Sequence, residues 1–284
     1  MNGRLIIVSL CSIALFSFTG GEHKKHKTSI EYQGLKGKVK SWKVLEYNTA
    51  KDGDNIVKGD SLIEEKDYVF NEAGNETETW RYLAEDRWGT KTFSTYDTRG
   101  YCTEAKSYRY TATDTTLHHS FYKYNEIGNR VEDDTYTGEE KYPERFFYKY
   151  DGNGNQTGWY YISGKDTIPN NNTAKYDEDG NLQESDYYVN GKLQTKTIRT
   201  YDGQGKFAGY TVYYPDESIK QKEISQKDTQ GNLVEYGIYK ADGSVIMKTE
   251  FKIEYDWAGN KVKEIKYENG KAVTYTEYVT TYYN

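Results

Sequence analysis

A short turn-like peptide recurs along most of this chain, and its regular return limits the fold more than any other feature of the sequence. It reads KYNEIGN at residues 123–129, KYDEDGN at 175–181 and EYDWAGN at 254–260. Successive copies follow one another at intervals of 25 to 28 residues. A period of this length is typical of an architecture built from one repeated supersecondary unit.

The heptapeptide has the composition of a tight turn. Asp or Asn at its third position accepts backbone N–H groups, and Gly at its sixth position supplies a positive φ. A type I turn followed by a left-handed Gly joins two antiparallel strands. The sequence therefore predicts hairpin turns, with structural turn roles for Asp97, Gly100, Asp151, Gly154, Asp177, Gly180, Asp202, Gly205, Asp256 and Gly259.

Most repeats contain a second turn signal about halfway between successive heptapeptides. These signals are Trp88-Gly89, Thr137-Gly138, Ser163-Gly164, Asn190-Gly191, Asp242-Gly243 and Asn269-Gly270. The segments between turns have the length of ordinary strands, and residues 245–255 alternate between apolar and charged side chains. We therefore expect an all-β fold, a repetitive antiparallel β-hairpin ribbon that forms an extended or coiled sheet. It would contain about 16–18 strands in about eight YD-like repeats of about 26 residues.

The composition favours a thin or hollow β-structure over a compact globule. Hydrophobic residues make up 35% of the chain and aromatic residues 16%, with 31 tyrosines. A core made mainly of Tyr would bury many hydroxyl groups, and their burial costs free energy unless each finds a hydrogen-bond partner. The net charge of -6 gives no basic footprint, so no nucleic-acid partner is expected.

The N-terminus has the pattern of a secretory signal. Arg4 precedes an apolar run from Leu5 to Phe18, which is shorter than the about 20 apolar residues that a transmembrane helix needs. An uncleaved anchor or lipid attachment through Cys11 remains open. After cleavage we expect no integral membrane span, and a location in the periplasm, at the cell surface or outside the cell. The expected organisation is a signal peptide at 1–21, a linker at 22–31, a degenerate N-terminal capping unit at 32–67 and a YD-like β-repeat domain at 68–284.

Several of the repeats resemble a known family. YKYNEIGNRVEDDTY from Tyr122, YKYDGNGN from Tyr148 and YDEDGNLQ from Tyr176 are similar to the YD repeat of the rearrangement-hotspot (RHS) family and its toxin and teneurin relatives. The similarity covers roughly residues 68–284 and implies a β-strand ribbon that winds into a large hollow shell. Asn usually stands here where that family often has Arg after the Gly. The chain looks closer to small secreted bacterial proteins that carry YD-like repeats alone, and this resemblance implies no known activity.

The acidic turns do not predict a calcium site. Asp151, Asn153 and Asn155 are spaced like the start of an EF-hand loop, but Gln156 and Ile162 stand where that loop needs Gly and Glu. These side chains are better explained by the turn itself. We expect no metal ion and no cofactor.

Neighbouring polar residues do not predict a catalytic site either. His118 and His119 are adjacent, so a strand would send them to opposite faces. Glycosidase chemistry needs two carboxyl groups that face each other across a cleft, which the pair Asp133-Asp134 does not suggest. We expect no catalytic residues and a protein that is not an enzyme.

The tryptophans are the best candidates for a binding surface. Trp257 occupies a central turn position, and Trp88 is expected at the tip of another turn. Large rings at turn tips have little packing to gain, and Trp and Tyr are enriched at recognition surfaces. The alternative is that each ring folds over the adjacent strand. The candidate binding residues are Trp80, Trp88, Trp159 and Trp257.

Three hypotheses for function follow. The first is an exported, non-enzymatic β-repeat protein that binds a glycan or a cell-envelope protein through a Tyr- and Trp-rich sheet surface. The second is a structural or envelope scaffold without a small ligand, which self-associates through its edge strands. The third is a polysaccharide hydrolase.

Overall fold

The computed structural model of the protein describes residues 27–84, 88–140, 142–163, 166–228 and 231–284. The predicted signal peptide and the first residues of the predicted linker lie outside the described residues.

The described chain contains one short helix, α1 (Ser29–Tyr32), and a long succession of β-strands. The strands are β1 (Val39–Asp52), β2 (Asn55–Phe70), β3 (Glu76–Leu83), β4 (Trp88–Tyr96), β5 (Cys102–Tyr110), β6 (Thr115–Tyr124), β7 (Arg130–Thr137), β8 (Glu144–Tyr150), β9 (Gln156–Ser163), β10 (Asp166–Tyr176), β11 (Leu182–Val189), β12 (Lys192–Tyr201), β13 (Phe207–Tyr213), β14 (Ile219–Lys227), β15 (Leu233–Tyr239), β16 (Val245–Tyr255), β17 (Lys261–Glu268) and β18 (Lys271–Tyr282).

The strands form a closed antiparallel barrel. Each strand pairs with the next one in sequence, and all of them belong to one 18-stranded sheet. β1 also pairs with β18, from Val39 opposite Tyr282 to Asn48 opposite Thr274. The prediction of an all-β antiparallel fold is confirmed.

The prediction of an extended or coiled ribbon is wrong, because the pairing of β1 with β18 closes the sheet. An open ribbon would leave a row of unpaired backbone groups on each end strand, and closure removes both rows. The described strands therefore offer no free edge for the edge-to-edge self-association considered above. Residues 32–67, expected to cap a ribbon, instead contribute β1 and most of β2 to this closure.

The repeated heptapeptides form the turns at one end of the barrel. In the turn at residues 151–155, Gly154 donates its N–H to the Asp151 carbonyl at 3.1 Å, and the Asp151 carboxylate accepts the N–H groups of Asn153 and Asn155. The eight glycines at the sixth heptapeptide position have φ between +74° and +88°. The predicted type I turn with a left-handed Gly is confirmed.

The tyrosine before the turn explains why an aromatic residue belongs to the repeat. In five repeats of the described chain its hydroxyl donates a hydrogen bond to a backbone carbonyl that lies two residues after the turn Gly of the preceding repeat. We call this series of bonds the tyrosine ladder, because each of its bonds ties one repeat to the repeat before it. Its members are Tyr96 to Glu76 at 2.6 Å, Tyr124 to Cys102 at 2.8 Å, Tyr150 to Arg130 at 2.6 Å, Tyr176 to Gln156 at 2.7 Å and Tyr201 to Leu182 at 2.7 Å.

The segment before β1 packs beside the seam at which β1 meets β18. Ile30, Leu35, Val39 and Phe70 form a small buried apolar cluster there. The side chain of Asn260, in the last heptapeptide turn, bonds to the backbone of residue 36 in both directions, at 2.7 and 2.9 Å. Residues 28–31 were assigned to a linker, but they form a capped helical turn that helps to fill the seam.

The second turn of each repeat lies at the opposite end of the barrel, and its prediction is only partly confirmed. Asn190-Gly191 and Asn269-Gly270 form two-residue turns in which both residues have positive φ. Trp88-Gly89 does not form a turn, because both residues lie in β4. The missing side chain of Gly89 there allows close approach of the Arg81 carbonyl, which would lie 2.9 Å from an added Cβ.

The turn at residues 151–155 offers a matched test of the left-handed glycine. Gly154 has φ +80°, whereas Gly152, in the same turn, does not have a positive φ and has open space around it. We expect Gly154→Ala to lower the free energy of unfolding by about 1–2 kcal/mol, because an L-residue is strained in that conformation. Gly152→Ala should leave it unchanged or raise it by up to about 1 kcal/mol. Urea unfolding measures both, and equal losses would contradict the turn assignment.

The seam cluster can be tested by truncating its central ring. Phe70 is 1% exposed, whereas Phe93 in β4 is 41% exposed. We expect Phe70→Ala to lower the free energy of unfolding by about 3–5 kcal/mol, because it leaves a cavity. Phe93→Ala should cost about 1 kcal/mol or less, as other partly exposed positions do. A Phe70→Ala variant as stable as the Phe93→Ala variant would show that the seam does not depend on this cluster.

Candidate binding surface: the inner wall of the barrel

The strand register sorts the side chains of the barrel into two faces. Directly paired residues of antiparallel strands share a face, and neighbours along a strand alternate. One row across β2 to β7 consists of Val69, Glu78, Phe93, Lys106, His119 and Tyr136. The adjacent row, on the opposite face, consists of Tyr68, Thr79, Thr92, Ser107, His118 and Thr137.

Burial identifies which face is concave. Side chains converge on the inside of a closed sheet and spread apart on the outside, so the inner ones are more buried. The face of Tyr68 carries most of the buried mid-strand residues, namely Glu64, Ala105, Ser120, Tyr122, Asp133, Tyr161, Thr249 and Thr276, whereas Ile265 is buried on the opposite face. The opposite face carries the exposed residues Val69, Phe93, Phe121, Ile198, Ile224 and Val279. We call the first face the inner wall and the second the outer wall.

Ion pairs between neighbouring strands cover much of the outer wall. Typical pairs are Lys91–Glu78 at 2.8 Å and Lys123–Glu132 at 2.9 Å. Each contributes little to stability, about 0.2–1 kcal/mol, because water screens partly exposed charges. Their main consequence is that charged side chains lie beside the exposed apolar residues of the outer wall. Among the described residues, no helix has both the length and the apolar character needed to cross a membrane.

Aromatic rings line parts of the inner wall. At the seam, Trp42 stacks between two rings on the neighbouring strands, with ring centroids 5.2 Å from Tyr68 and 5.7 Å from Tyr278. On β8 and β9, Phe146 lies 4.7 Å from Tyr161 and 5.9 Å from Trp159. These contacts stabilise neighbouring strands by packing across them. They also turn aromatic surface toward the interior of the barrel.

A buried ionic cluster holds the inner wall together between β6 and β8. Arg130 donates to the Asp133 carboxylate and lies 3.9 Å from the centroid of the Tyr122 ring. The Tyr148 hydroxyl donates to the same carboxylate at 2.6 Å. Burial, and then the charge of Asp133, raises the pKa of Tyr148, so its hydroxyl remains a donor at neutral pH.

Adjacent polar residues that the sequence analysis considered together lie on opposite walls. His118 is on the inner wall, where its Nδ1 lies 3.1 Å from the Thr137 hydroxyl, and His119 is on the outer wall, paired with Glu104 at 2.6 Å. Asp133 and Asp134 are separated in the same way, so they do not face each other as an acid and base. No cluster of three or more His, Cys, Asp or Glu side chains suited to a metal ion occurs in the described part of the chain.

The four tryptophans proposed as a binding surface are not brought together. Trp88 and Trp159 lie on the inner wall, and Trp80 lies on the outer wall, stacked on Tyr82 with ring centroids 6.1 Å apart. Trp257 is at the turn end of the barrel and is 89% exposed. Trp88 lies in β4 and not at a turn tip, so its predicted position was wrong. The binding roles of all four remain predictions.

The sequence analysis missed the arginines of the inner wall. The guanidinium groups of Arg81 and Arg109 lie over the ring of Trp88, at 5.6 and 5.2 Å from its centroid. A third, Arg199 in β12, lines a pocket on the same wall. The alternation of side chains along β12 offered a signal for Arg199. It places Arg199 on the same face as Thr195 and Thr197, and not on the face of the charged Lys196.

Comparisons with known proteins give no family. No protein-family model matches the chain, and no curated protein matches its sequence. The resemblance to the YD-repeat family therefore stays a prediction. Similar solved structures include a porin-like protein from Bacteroides uniformis, which has a TM-score of 0.47 and 10% identity over 92% of this chain and 100% of that chain.

Two further similar structures are much larger assemblies. The TcdB2-TccC3-Cdc42 complex has a TM-score of 0.24 and 11% identity, over 78% of this chain and 16% of that chain. The Photorhabdus luminescens Tc holotoxin pore has a TM-score of 0.22 and 12% identity, over 76% of this chain and 16% of that chain. All three TM-scores are below 0.5, so the fold described here rests on the strand pairing alone.

The different environments of the tryptophans can be tested by fluorescence quenching. Trp257 is exposed, whereas Trp42 is held between two rings. We expect Trp257→Phe to remove the emission most accessible to acrylamide, and Trp42→Phe to leave that component in place. Unchanged quenching in the Trp257→Phe variant would show that the ring is covered in solution.

Proposed function

We propose that the mature protein is an exported, non-enzymatic barrel that binds a glycan along its inner wall. One observation carries the proposal, namely that the inner wall presents aromatic rings beside rows of hydroxyl groups. Barrels of about 16–18 strands are wide enough to leave an aqueous channel. An extended, hydrated polymer is the kind of ligand that such an interior admits.

The packing of the interior supports an open lumen. The buried apolar cluster of the described residues lies at the seam, beside the end of the barrel, and not along its axis. Strand contacts on the inner wall are between neighbouring strands, as in the stack of Trp42 with Tyr68 and Tyr278. An interior filled by side chains would instead bury a large set of aliphatic residues.

The chemistry of the wall suits a saccharide. Aromatic faces cover the C–H faces of sugar rings, and a few placed polar groups fix the orientation of the ligand. The row that contains Thr79, Thr92 and Ser107 supplies hydroxyl groups across three strands. Trp88 lies on the same wall and at the other end of β4 from the heptapeptide turns.

Export is inferred from the N-terminal pattern of charge and apolar residues. The absence of activity is inferred from the separation of Asp133 and Asp134 onto opposite walls, which weakens the hydrolase hypothesis. A cell-envelope protein is a second candidate partner, favoured by the exposure of Trp257 at the turn end. A scaffold role is compatible with the barrel. However, the described strands leave no free edges through which copies of the protein would assemble.

The glycan proposal is tested by a binding screen on residues 22–284, followed by two matched variants. We expect Trp159→Ala, on the inner wall, to weaken binding of a selected glycan by about tenfold or more, the usual effect of removing a central aromatic contact. Trp80→Ala, on the outer wall, should leave the affinity unchanged. Fluorescence titration or calorimetry measures both.

The screen also separates the candidates. Binding that depends on Trp80 but not on Trp159 would overturn the inner-wall assignment. Binding of an envelope protein that is lost in Trp257→Ala would favour the second candidate. A uniformly negative screen would favour a scaffold.

A further inference from the structure

We infer that the pocket around Arg199 on the inner wall binds a carboxylate or sulfate group, so that the ligand is an acidic saccharide. This inference rests on the proposed function and specifies its substrate class. Three observations support it, namely a pocket on the inner wall, an arginine in that pocket without a carboxylate partner, and hydroxyl groups around the arginine.

The pocket lies in the middle of the wall formed by β11 to β14. It has a volume of about 340 Å³ and is lined by Arg199 and Lys220 together with Ser185, Thr195, Thr197 and Tyr210. Thr197 is paired with Ser185 on one side, and Arg199 is paired with Tyr210 on the other. Two cationic groups and several hydroxyl donors therefore face one space.

The charge of Arg199 is not neutralised within the described part of the barrel. No carboxylate lies within ion-pair distance of it, and its Nε is buried without a hydrogen-bond acceptor. The inner-wall carboxylate two strands away, Glu223, accepts the hydroxyl of Tyr210 at 2.8 Å. Some inner-wall cations do have acidic partners, as in Lys261–Glu264 at 2.6 Å and Lys266–Glu268 at 2.6 Å.

A partly buried cation without a counterion indicates a ligand that supplies the charge. Leaving a buried donor unpaired costs free energy, and an oxyanion would satisfy the planar fork of a guanidinium with two parallel hydrogen bonds. The flanking Thr and Ser hydroxyls suit the remaining ligand oxygens. The ring of Phe207, 5.5 Å from the guanidinium carbon, helps to hold the side chain in place.

A second inner-wall arginine supports the same ligand class. Arg109 lies over Trp88 at 5.2 Å, and its Nε is also buried without an acceptor. It belongs to a different part of the wall, since β5 is separated from β12 by six intervening strands. An extended polyanion would meet both arginines, whereas a neutral glycan would leave both unpaired.

The experiment compares acidic saccharides with neutral forms of the same shape on residues 22–284. The probes are trigalacturonate and its methyl ester for the carboxylate, and a heparin tetrasaccharide and its desulfated form for the sulfate. We expect the acidic form of one pair to bind about 10- to 100-fold more tightly than its neutral form, the range for hydrogen bonds to a charged group. Calorimetry measures the four affinities.

Three variants connect this preference to the pocket. Arg199→Gln should remove most of the difference between acidic and neutral forms, and Arg199→Lys should restore part of it by returning the charge without the fork. Arg145→Gln, which removes an outer-wall arginine paired with Asp134 at 3.2 Å, should leave the preference unchanged. Unfolding curves of each variant confirm that the barrel is intact.

The outcomes separate this inference from the proposed function. Equal affinities for acidic and neutral forms, with binding still weakened by Trp159→Ala, would overturn the anion site and leave the glycan function in place. A preference that survives in Arg199→Gln would overturn the pocket assignment. If none of the four saccharides binds, the acidic-saccharide inference is overturned. The wider glycan screen then decides whether the proposed glycan function holds.

Discussion

Backbone pairing between neighbouring strands is the interaction on which this structure depends. The chain has few aliphatic residues, and the buried apolar cluster of the described part is confined to the seam near α1. A sheet without a thick core must satisfy its backbone groups by other means, and closure of β1 on β18 pairs both end strands. The remaining features of the barrel either set the register of this pairing or fill the point at which it closes.

The heptapeptide repeat sets that register locally. Its left-handed Gly and its Asp or Asn hold each turn in one conformation, and the tyrosine ladder ties that turn to the strand of the preceding repeat. Because each bond of the ladder spans about one repeat, the same contact is remade along much of the barrel. The ladder uses five tyrosines, and in each the hydroxyl finds a backbone partner while the ring packs on the sheet.

The two walls of the barrel follow from its closure. On an open ribbon both faces would meet water equally, and aromatic residues on either face would be equivalent. In the barrel the outer wall carries cross-strand ion pairs, and the inner wall gathers Trp88, Trp159 and Arg199 around an enclosed space. The division between walls separates His118 from His119 and Asp133 from Asp134, so neither adjacent pair shares a face.

The sequence by itself determined the elements that depend on contacts between residues close in the chain. The strands, the left-handed turn glycines and the two-residue turns at Asn190 and Asn269 all follow from local chemistry, because φ, ψ and strand alternation are set within a few residues. Trp88-Gly89 was misread, because a glycine also serves close approach between strands, as it does here beside Arg81.

Only the tertiary structure decided the closure of the barrel and the composition of its inner wall. β1 and β18 are separated by more than 200 residues, and no local pattern specifies that they pair. Without that pairing, the alternation of side chains along each strand shows which residues share a face but not which face is concave. Arg199 and its pocket could not be recognised from the sequence for this reason, since they become a site only when four strands curve around one space.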